Sequence, residues 1–407
     1  MAKKKEIVKE IVKEIKTETA PNTAETPAAP VSKAVNDLLI RKLAAQAKLI
    51  KKYNAVGGSA SGIKPPNFYP TGLDVFDNEV IGIGGLPQGR MIEVYGPKSS
   101  GKTALAMYLA GAAQKLDPSI TIKIYDIESS FTRKWGQSMG LDVGEETDDG
   151  DEDFKKGVQR FGRTTVVRGL SAEEVAAMIK EDLSLGELTP NIIIIDSVAV
   201  LNPEQVMKKD NEDLSMNDNY ALAKFLTEFL KSVTGGWYWP PAADHGKAKL
   251  SSDAKKICLA DTNTTMIHIN HAKAKTISQN GRTWTEWEHV GGKALDFHCA
   301  LQFMVTRMGF VEDMLKKVSH QKIKVCADKN KLAPPKRECM LLLDFKGGIS
   351  QLGTIDWLSI AINKGLATKD GAWIKSAVLL PNDKIQGAEA FNKFIDGNKD
   401  TQKLLVD

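Results

Sequence analysis

An α/β fold organised on a largely parallel sheet is predicted by three features of the sequence. Between about Pro70 and Gly347, short apolar runs alternate with helical patterns, as they do where helices cover both faces of a parallel sheet. The run Asn191-Ile192-Ile193-Ile194-Ile195-Asp196 is a block of branched apolar residues closed by a carboxylate, which suits a strand buried on both sides. Third, Gly96-Pro97-Lys98-Ser99-Ser100-Gly101-Lys102-Thr103 lies between an apolar run and an alanine- and leucine-rich segment. That gives the order strand, glycine-rich turn, helix.

With 407 residues the chain has room for one large core and one or two satellites. The net charge of +4 is too small to announce a nucleic-acid binder by itself, so charge location has to carry that argument. Cys258, Cys299, Cys326 and Cys339 lie far apart, which argues against a zinc knuckle or a disulfide framework and favours a reducing, cytoplasmic setting. No apolar run reaches membrane-span length, and the lysine-rich start lacks the apolar stretch of a secretory signal.

In chain order, residues 1–31 mix a Lys/Glu/Ile/Val stretch with a Pro/Ala/Thr/Glu stretch and are expected to form a mobile arm. Residues 32–69 are expected to hold a helix and a linker. Ser32 is a plausible N-cap, Val35, Leu38, Leu39, Leu43, Ala47 and Ile50 form an apolar stripe, and a Gly/Ser/Pro-rich joint follows. Such a helix either docks on a neighbouring subunit or packs on its own core. Residues 70–347 form the main domain, and 348–407 read as a small α/β domain carrying Lys364, Lys369, Lys375 and Lys384. Within the main domain, Ile122–Tyr125 reads as a strand ending at Asp126-Ile127-Glu128, and Ser171 to Leu183 as a capped amphipathic helix.

The glycine-rich turn has the chemistry of a phosphate cradle. Gly96 and Gly101 let the backbone curl so that successive N–H groups point inward, and the following helix turns its positive end toward the same anion. Lys102 is spaced to reach the β- and γ-phosphates of ATP, and the Thr103 hydroxyl to enter a magnesium shell. Asp196, at its strand tip, is the expected acidic partner for the Mg2+ ion. Glu128, on a neighbouring tip, is the candidate to polarise an attacking water. Trp135 either lies against adenine or is a core or surface tryptophan.

Beyond these motifs, the sequence resembles the RecA recombinases. Ile83-Gly84-Gly85-Leu86-Pro87-Gln88-Gly89-Arg90 running into the cradle resembles their ATPase core, and Ile193 to Leu201 their magnesium-binding strand. Met266-Ile267-His268-Ile269-Asn270-His271 resembles the sensor strand, and Gly291-Gly292-Lys293-Ala294-Leu295 the end of the second DNA-binding loop. Lys329-Asn330-Lys331 leading to Pro334 resembles the segment that reaches a neighbour's ATP, and Gly371-Ala372-Trp373 with Asp383-Lys384-Ile385 the C-terminal domain. The similarity runs in family order from about Ser32 to the end, and in detail it is closer to a phage-encoded recombinase than to a typical bacterial one.

The resemblance implies a RecA-like P-loop NTPase core with a mostly parallel sheet, an N-terminal docking helix and a small α/β C-terminal domain. It implies that Glu128 activates water, that Trp135 meets adenine, that His271 replaces a γ-phosphate-sensing glutamine, and that Lys329 and Lys331 act in trans on ATP. It implies that Phe297 inserts into the adjoining subunit, with a buried core phenylalanine as the equal alternative. Asp296 stands where the family has lysine, and Lys98 where it has an acid. The ending at Leu404-Leu405-Val406-Asp407 lacks the acidic tail that the resemblance would lead one to expect, so duplex binding with less restraint is expected.

Two segments are candidates for DNA contact. Asn202 to Asn219 carries Lys208, Lys209 and Met216 and leads into a helix with Lys224 and Lys231. Ala272 to Val290 carries Lys273, Lys275, Arg282, Trp284 and Trp287, with Gly291 and Gly292 offering backbone N–H groups. Cations neutralise phosphates and aromatics stack on unpaired bases, which suits sequence-independent binding. Gly235 to Lys256 stands out as an insertion, either a protruding hairpin or a surface excursion. The expected partners are single-stranded DNA, homologous double-stranded DNA and further copies of the chain in a helical homo-oligomer. A ring helicase and a non-catalytic recombination mediator are the alternatives.

Overall fold

The computed structural model describes residues 66–144, 162–209, 218–241, 254–279, 282–312, 315–352 and 364–398, with Arg41, Lys42, Ala44, Lys48, Leu358, Ala361, Ile362, Thr401, Leu404 and Leu405 besides. The expected arm, most of the expected N-terminal helix and Met216 lie outside the described residues. Residues 1–65 form a unit of their own, in which Arg41, Lys42, Ala44 and Lys48 are helical.

From Pro66 onward, ten strands make the principal sheet. They are β1 Arg90–Gly96, β2 Ile122–Asp126, β3 Thr164–Val167, β4 Ile192–Asp196, β5 Thr265–Gln279, β6 Arg282–His289, β7 Leu301–Glu312, β8 Val318–Asn330, β9 Glu338–Asp344 and β10 Ile349–Leu352. Their order is β10-β9-β8-β7-β1-β5-β4-β2-β3, with β6 hairpinned onto β5. Pairings from β7 through to β3 are parallel, and β7 to β10 are antiparallel. The half of the sheet nearest the cradle is therefore the parallel part, with its carboxyl ends at one edge.

Alternation along the central strands builds two cores. Ile192 and Ile194 join one cluster with Ile92, Val94, Ile267 and Ile269, under helix α1 (Lys102–Leu116). Ile193 and Ile195 join the other with Met91 and Met266, under α3 (Ala172–Ser184) and α4 (Asp218–Gly235). The short helix α2 spans Arg133–Ser138 between β2 and β3. The Ser171 start is a full capping box: its hydroxyl accepts the Glu174 N–H while the Glu174 carboxylate accepts the Ser171 N–H. After β6 comes α5, Ala294–His298.

Strand β10 still belongs to the main sheet, pairing Ile349–Leu352 with Met340–Leu343. The sheet thus runs past the boundary expected after Gly347. The small domain follows with its own core of Leu358, Ala361, Ile374, Leu379, Phe391 and Ile395. It contains a three-stranded antiparallel sheet, Thr368–Asp370, Trp373–Lys375 and Lys384–Gln386, and helix α6, Ala388–Asp396. The ends of the insertion pair as antiparallel strands, Trp237–Trp239 with Lys255–Ile257, and residues 242–253 between them lie outside the described residues. Among the described residues no helix is long and apolar enough to cross a membrane.

His268 and His271, three apart on β5, face opposite sides as a strand dictates. His268 is fully buried, neither ring nitrogen has a hydrogen-bond partner, and burial pulls its imidazolium down to about 4. An unfolded histidine titrates near 6.5, so between those values only the unfolded chain takes the proton, and stability falls as pH drops through the window. From pH 7 to pH 5 this costs the fold about 2 kcal/mol. His268→Leu is expected to remove that share of the acid destabilisation in urea unfolding at the two pH values, and an unchanged pH slope would contradict it.

Candidate active site

The carboxyl edge of the parallel strands brings the sequence-predicted residues to one cleft of about 920 Å³. Its lining includes Lys98, Ser99, Ser100, Gly101, Lys102, Thr103, Glu128, Trp135, Asp196 and His271. The cradle leaves β1 at Gly96, where a Cβ would stand 2.2 Å from the Val305 carbonyl oxygen. Only glycine permits the backbone to turn there. Ser100 is buried beneath the loop, and Gln321 from β8 donates to the Ser99 carbonyl at 3.1 Å, so the antiparallel half of the sheet props the cradle.

Inside the cleft the side chains hold one another. Lys102 Nζ donates to the Pro97 carbonyl at 2.8 Å. Burial lowers its pKa, opposed by the nearby carboxylates of Glu128 and Asp196. The Thr103 hydroxyl donates to Asp196 Oδ2 at 2.9 Å. Burial pushes the Asp196 carboxyl up to about 6; the Thr103 hydrogen bond works against this, and the Glu128 and Asp126 charges add to it. Glu128 Oε1 accepts from the Ser197 hydroxyl at 2.6 Å and lies 3.0 Å from His271 Nε2. Glu128 is thus suspended between the end of β4 and the end of the buried part of β5. Asp126, paired with Asp196 in register, does not line the cleft. It accepts from the backbone N–H groups of Ser130 and Phe131 and from Arg168, which fixes the turn that leads to Trp135.

Lys329 and Lys331 are not brought into this cleft. Lys329 donates to the Asp296 carbonyl, and Lys331 donates to the Phe297 carbonyl at 2.8 Å, so both cap α5. Phe297 itself is 68% exposed, which excludes the buried-core alternative within this protomer. Cations and ring form one surface patch.

Of the candidate DNA segments, residues 210–217 lie outside the described residues. Lys208 is paired with Glu204 at 2.6 Å, and Lys209, Lys224 and Lys231 are exposed. Residues 272–290 are a hairpin rather than a loop, since β5 and β6 stay in register from Ala272↔His289 to Gln279↔Arg282. That register sets Glu288 opposite Lys273 and Glu286 opposite Lys275, and Lys275 meets Glu288 at 3.7 Å. Lys273 also lines the cleft, and lines a groove with Asn202, Pro203 and Gly291 where the two segments meet. Gly291 has φ 89° and a Cβ there would be 2.8 Å from Leu226 Cδ1 of α4, while Gly292 faces Ala223. The glycines let the hairpin return close against that helix.

The RecA N-terminal domain family matches residues 67–237, the span that contains the cradle, Glu128 and Asp196. Over that span the chain is similar to the RecA family. It is similar to Protein RecA of Saccharopolyspora erythraea, 29% identical over 343 residues that cover 83% of this chain and 81% of that one. It is also similar to Protein RecA of Chloroherpeton thalassium, 26% identical over 321 residues, covering 78% and 74%. A third relative is the mitochondrial DNA repair protein recA homolog of Dictyostelium discoideum, 28% identical over 302 residues, covering 74% and 54%.

Three residues escaped the sequence reading of this cleft. Ser197 gives no motif signal beyond following Asp196. Arg168 and Gln321 reach the site from 42 and 222 residues away in sequence from their partners, visible only once the strands are registered. Lys102→Ala is expected to weaken binding of a fluorescent ATP analogue about a hundredfold. Thermal stability should not fall, because the ammonium is held at a desolvation cost. Retained affinity would place the nucleotide elsewhere.

Proposed function

We propose that this chain is a DNA-dependent ATPase that assembles with ATP into a helical filament on single-stranded DNA and exchanges that strand with a homologous duplex. The observation that carries the reading is the contact between Glu128 and His271. An acid that faces the phosphate cradle touches the residue from which the 272–290 hairpin departs. Any γ-phosphate or water that recruits Glu128 must alter that contact, and so the footing of the hairpin.

The chain's residues divide the work. Lys102 exchanges the Pro97 carbonyl for phosphate oxygens, and backbone N–H groups of the cradle take the remaining charge. Glu128 accepts the proton of the attacking water, and Ser197 holds the carboxylate in place. His271 offers an N–H to the γ-phosphate and transmits its presence to β5. Thr103 and Asp196 supply adjacent oxygen donors, a set that fits Mg2+. When bound, that ion neutralises charge on the β- and γ-phosphates. Trp135 covers one side of the cleft as a platform for the base.

DNA binding follows from the groove between the two segments, with Lys273 and the neighbouring Lys208, Lys209, Lys224, Lys231, Lys275 and Arg282 as phosphate contacts and Gly291 and Gly292 as backbone donors. Because Lys329, Lys331 and Phe297 share a surface away from their own cleft, they reach the ATP and core of the adjoining protomer. Two cations arriving at a triphosphate stabilise its charge as an arginine finger does. Hydrolysis at each junction then loosens the filament.

Electron microscopy of the protein with single-stranded DNA and a non-hydrolysable ATP analogue tests this directly. Helical filaments are expected from the native chain. The double variant Lys329→Ala and Lys331→Ala should form few or none, while losing only about 1 kcal/mol of stability per carbonyl hydrogen bond. Closed rings, or filaments undiminished in the variant, would contradict the proposal.

A further inference from the structure

On the face of the sheet opposite the main α1 core, Glu93 of β1 is fully buried and takes three side-chain donors. Asn270 Nδ2 donates at 2.8 Å, Gln302 Nε2 at 2.6 Å, and His289 Nδ1 lies 2.9 Å away. A buried carboxylate needs a compensating charge as well as hydrogen bonds, and of the three only histidine can supply one. The other side of the His289 ring is acidic too, with Nε2 3.8 Å from Asp296 Oδ1 of α5. The ring stacks on Tyr95 at 3.8 Å between centroids, and the Tyr95 hydroxyl donates to Asp328 Oδ2 at 2.8 Å.

This cluster grips two structures that the function must connect. His289 is the last residue of β6, where the hairpin returns to the sheet. Asn270 precedes His271, accepts the His271 backbone N–H at 2.8 Å and donates to the Val290 carbonyl at 2.9 Å. The hairpin stem and the sensor residue therefore share one anchor, Glu93.

We propose that His289 is a positioning residue for DNA binding: its imidazolium, clamped by Glu93 and Asp296, holds the stem of the 272–290 hairpin against the strand that ends in His271. The inference rests on the reading that this hairpin holds single-stranded DNA. The groups facing His289 are Glu93 and Tyr95 from β1, Asp296 from α5, and Asp328 from β8 with its partner Lys336. Asn270 from β5 and Gln302 from β7 are neutral. The ring of His268, opposite Glu93 in the ladder, has no hydrogen-bond partner among the described residues. On its own strand, Glu288 is turned to Lys275. Burial draws His289 toward neutrality, but the Glu93 hydrogen bond and charge, with Asp296 and Asp328, outweigh it and leave its pKa raised. The clamp is thus complete below the ordinary histidine value and is lost as pH rises through the raised one.

The test uses the full chain, a fluorescently labelled oligo-dT and a non-hydrolysable ATP analogue, from about pH 6 to about pH 8.5 at fixed ionic strength. Native affinity should fall as pH rises. His289→Gln should bind about tenfold more weakly at the acid end and lose most of the slope. Glu93→Gln should do the same, and the double variant should be no worse than either single one. Both variants keep Asp196, whose raised carboxyl contributes the background slope. A flat native profile, or variants that retain the native slope, would overturn the proposal. Should His289→Gln fail to fold, the native profile and Glu93→Gln still decide. Lys273→Ala with Lys275→Ala separates the two readings. If that pair weakens binding equally at every pH while the native profile is flat, the clamp alone fails; if it leaves affinity unchanged, the hairpin does not hold DNA and the clamp falls with it.

Discussion

The parallel pairing of Arg90–Gly96 with Thr265–Gln279 is the constraint on which the rest of the molecule depends. Its register sets Gly96 beside His271 and Glu93 beside His268. Because side chains alternate across a strand, a slip of one residue would turn every one of these to the other face. In the observed register, the first strand releases the phosphate cradle where the second releases the hairpin. Met91, Ile92 and Val94 of the first strand and Met266, Ile267 and Ile269 of the second are buried in apolar clusters on the two faces, which holds both strands in place. The site is thus a consequence of how two hydrophobic strands are stacked, and its polar residues sit only where those strands run out.

That arrangement joins the candidate cleft and the 272–290 hairpin through shared strands. Glu128 bridges Ser197 and His271 at the edge of the sheet, and Glu93 ties Asn270, His289 and Gln302 just below it. The surface patch joins the same network: Gln302 donates to Asp296 as well as to Glu93, Lys329 caps the same helix, and Phe297 projects from it. His271, the hairpin stem and the helix that carries exposed Phe297 are connected through a few hydrogen bonds.

The cradle, the Asp196 strand and the capped helix at Ser171 were legible in the sequence because each is written in contiguous residues whose local chemistry dictates the backbone. The expected sensor strand and the expected trans role of Lys329 and Lys331 come only by resemblance, since a histidine after an apolar run or two lysines flanking an asparagine carry no local meaning. The Glu93 cluster was illegible: its members come from β1, β5, β6 and β7, and a glutamate inside an apolar run reads as a half-exposed strand position until the register is known. By resemblance, the 272–290 segment is expected to be a DNA-binding loop. Its alternation of lysine, threonine and tryptophan is in fact a ladder, and the glutamates that face the lysines were overlooked. The sheet also outlasts the expected domain boundary, because Ile349–Leu352 pairs with β9 despite the glycines at 347 and 348 that signal a break.

The central claim is that the nucleotide governs the grip on DNA through the shared β1–β5 frame. It is tested most directly by the dissociation constant for a single-stranded oligonucleotide measured with a non-hydrolysable ATP analogue and again with ADP. The account predicts binding at least about tenfold tighter with the triphosphate. Equal affinity in the two nucleotide states would contradict it.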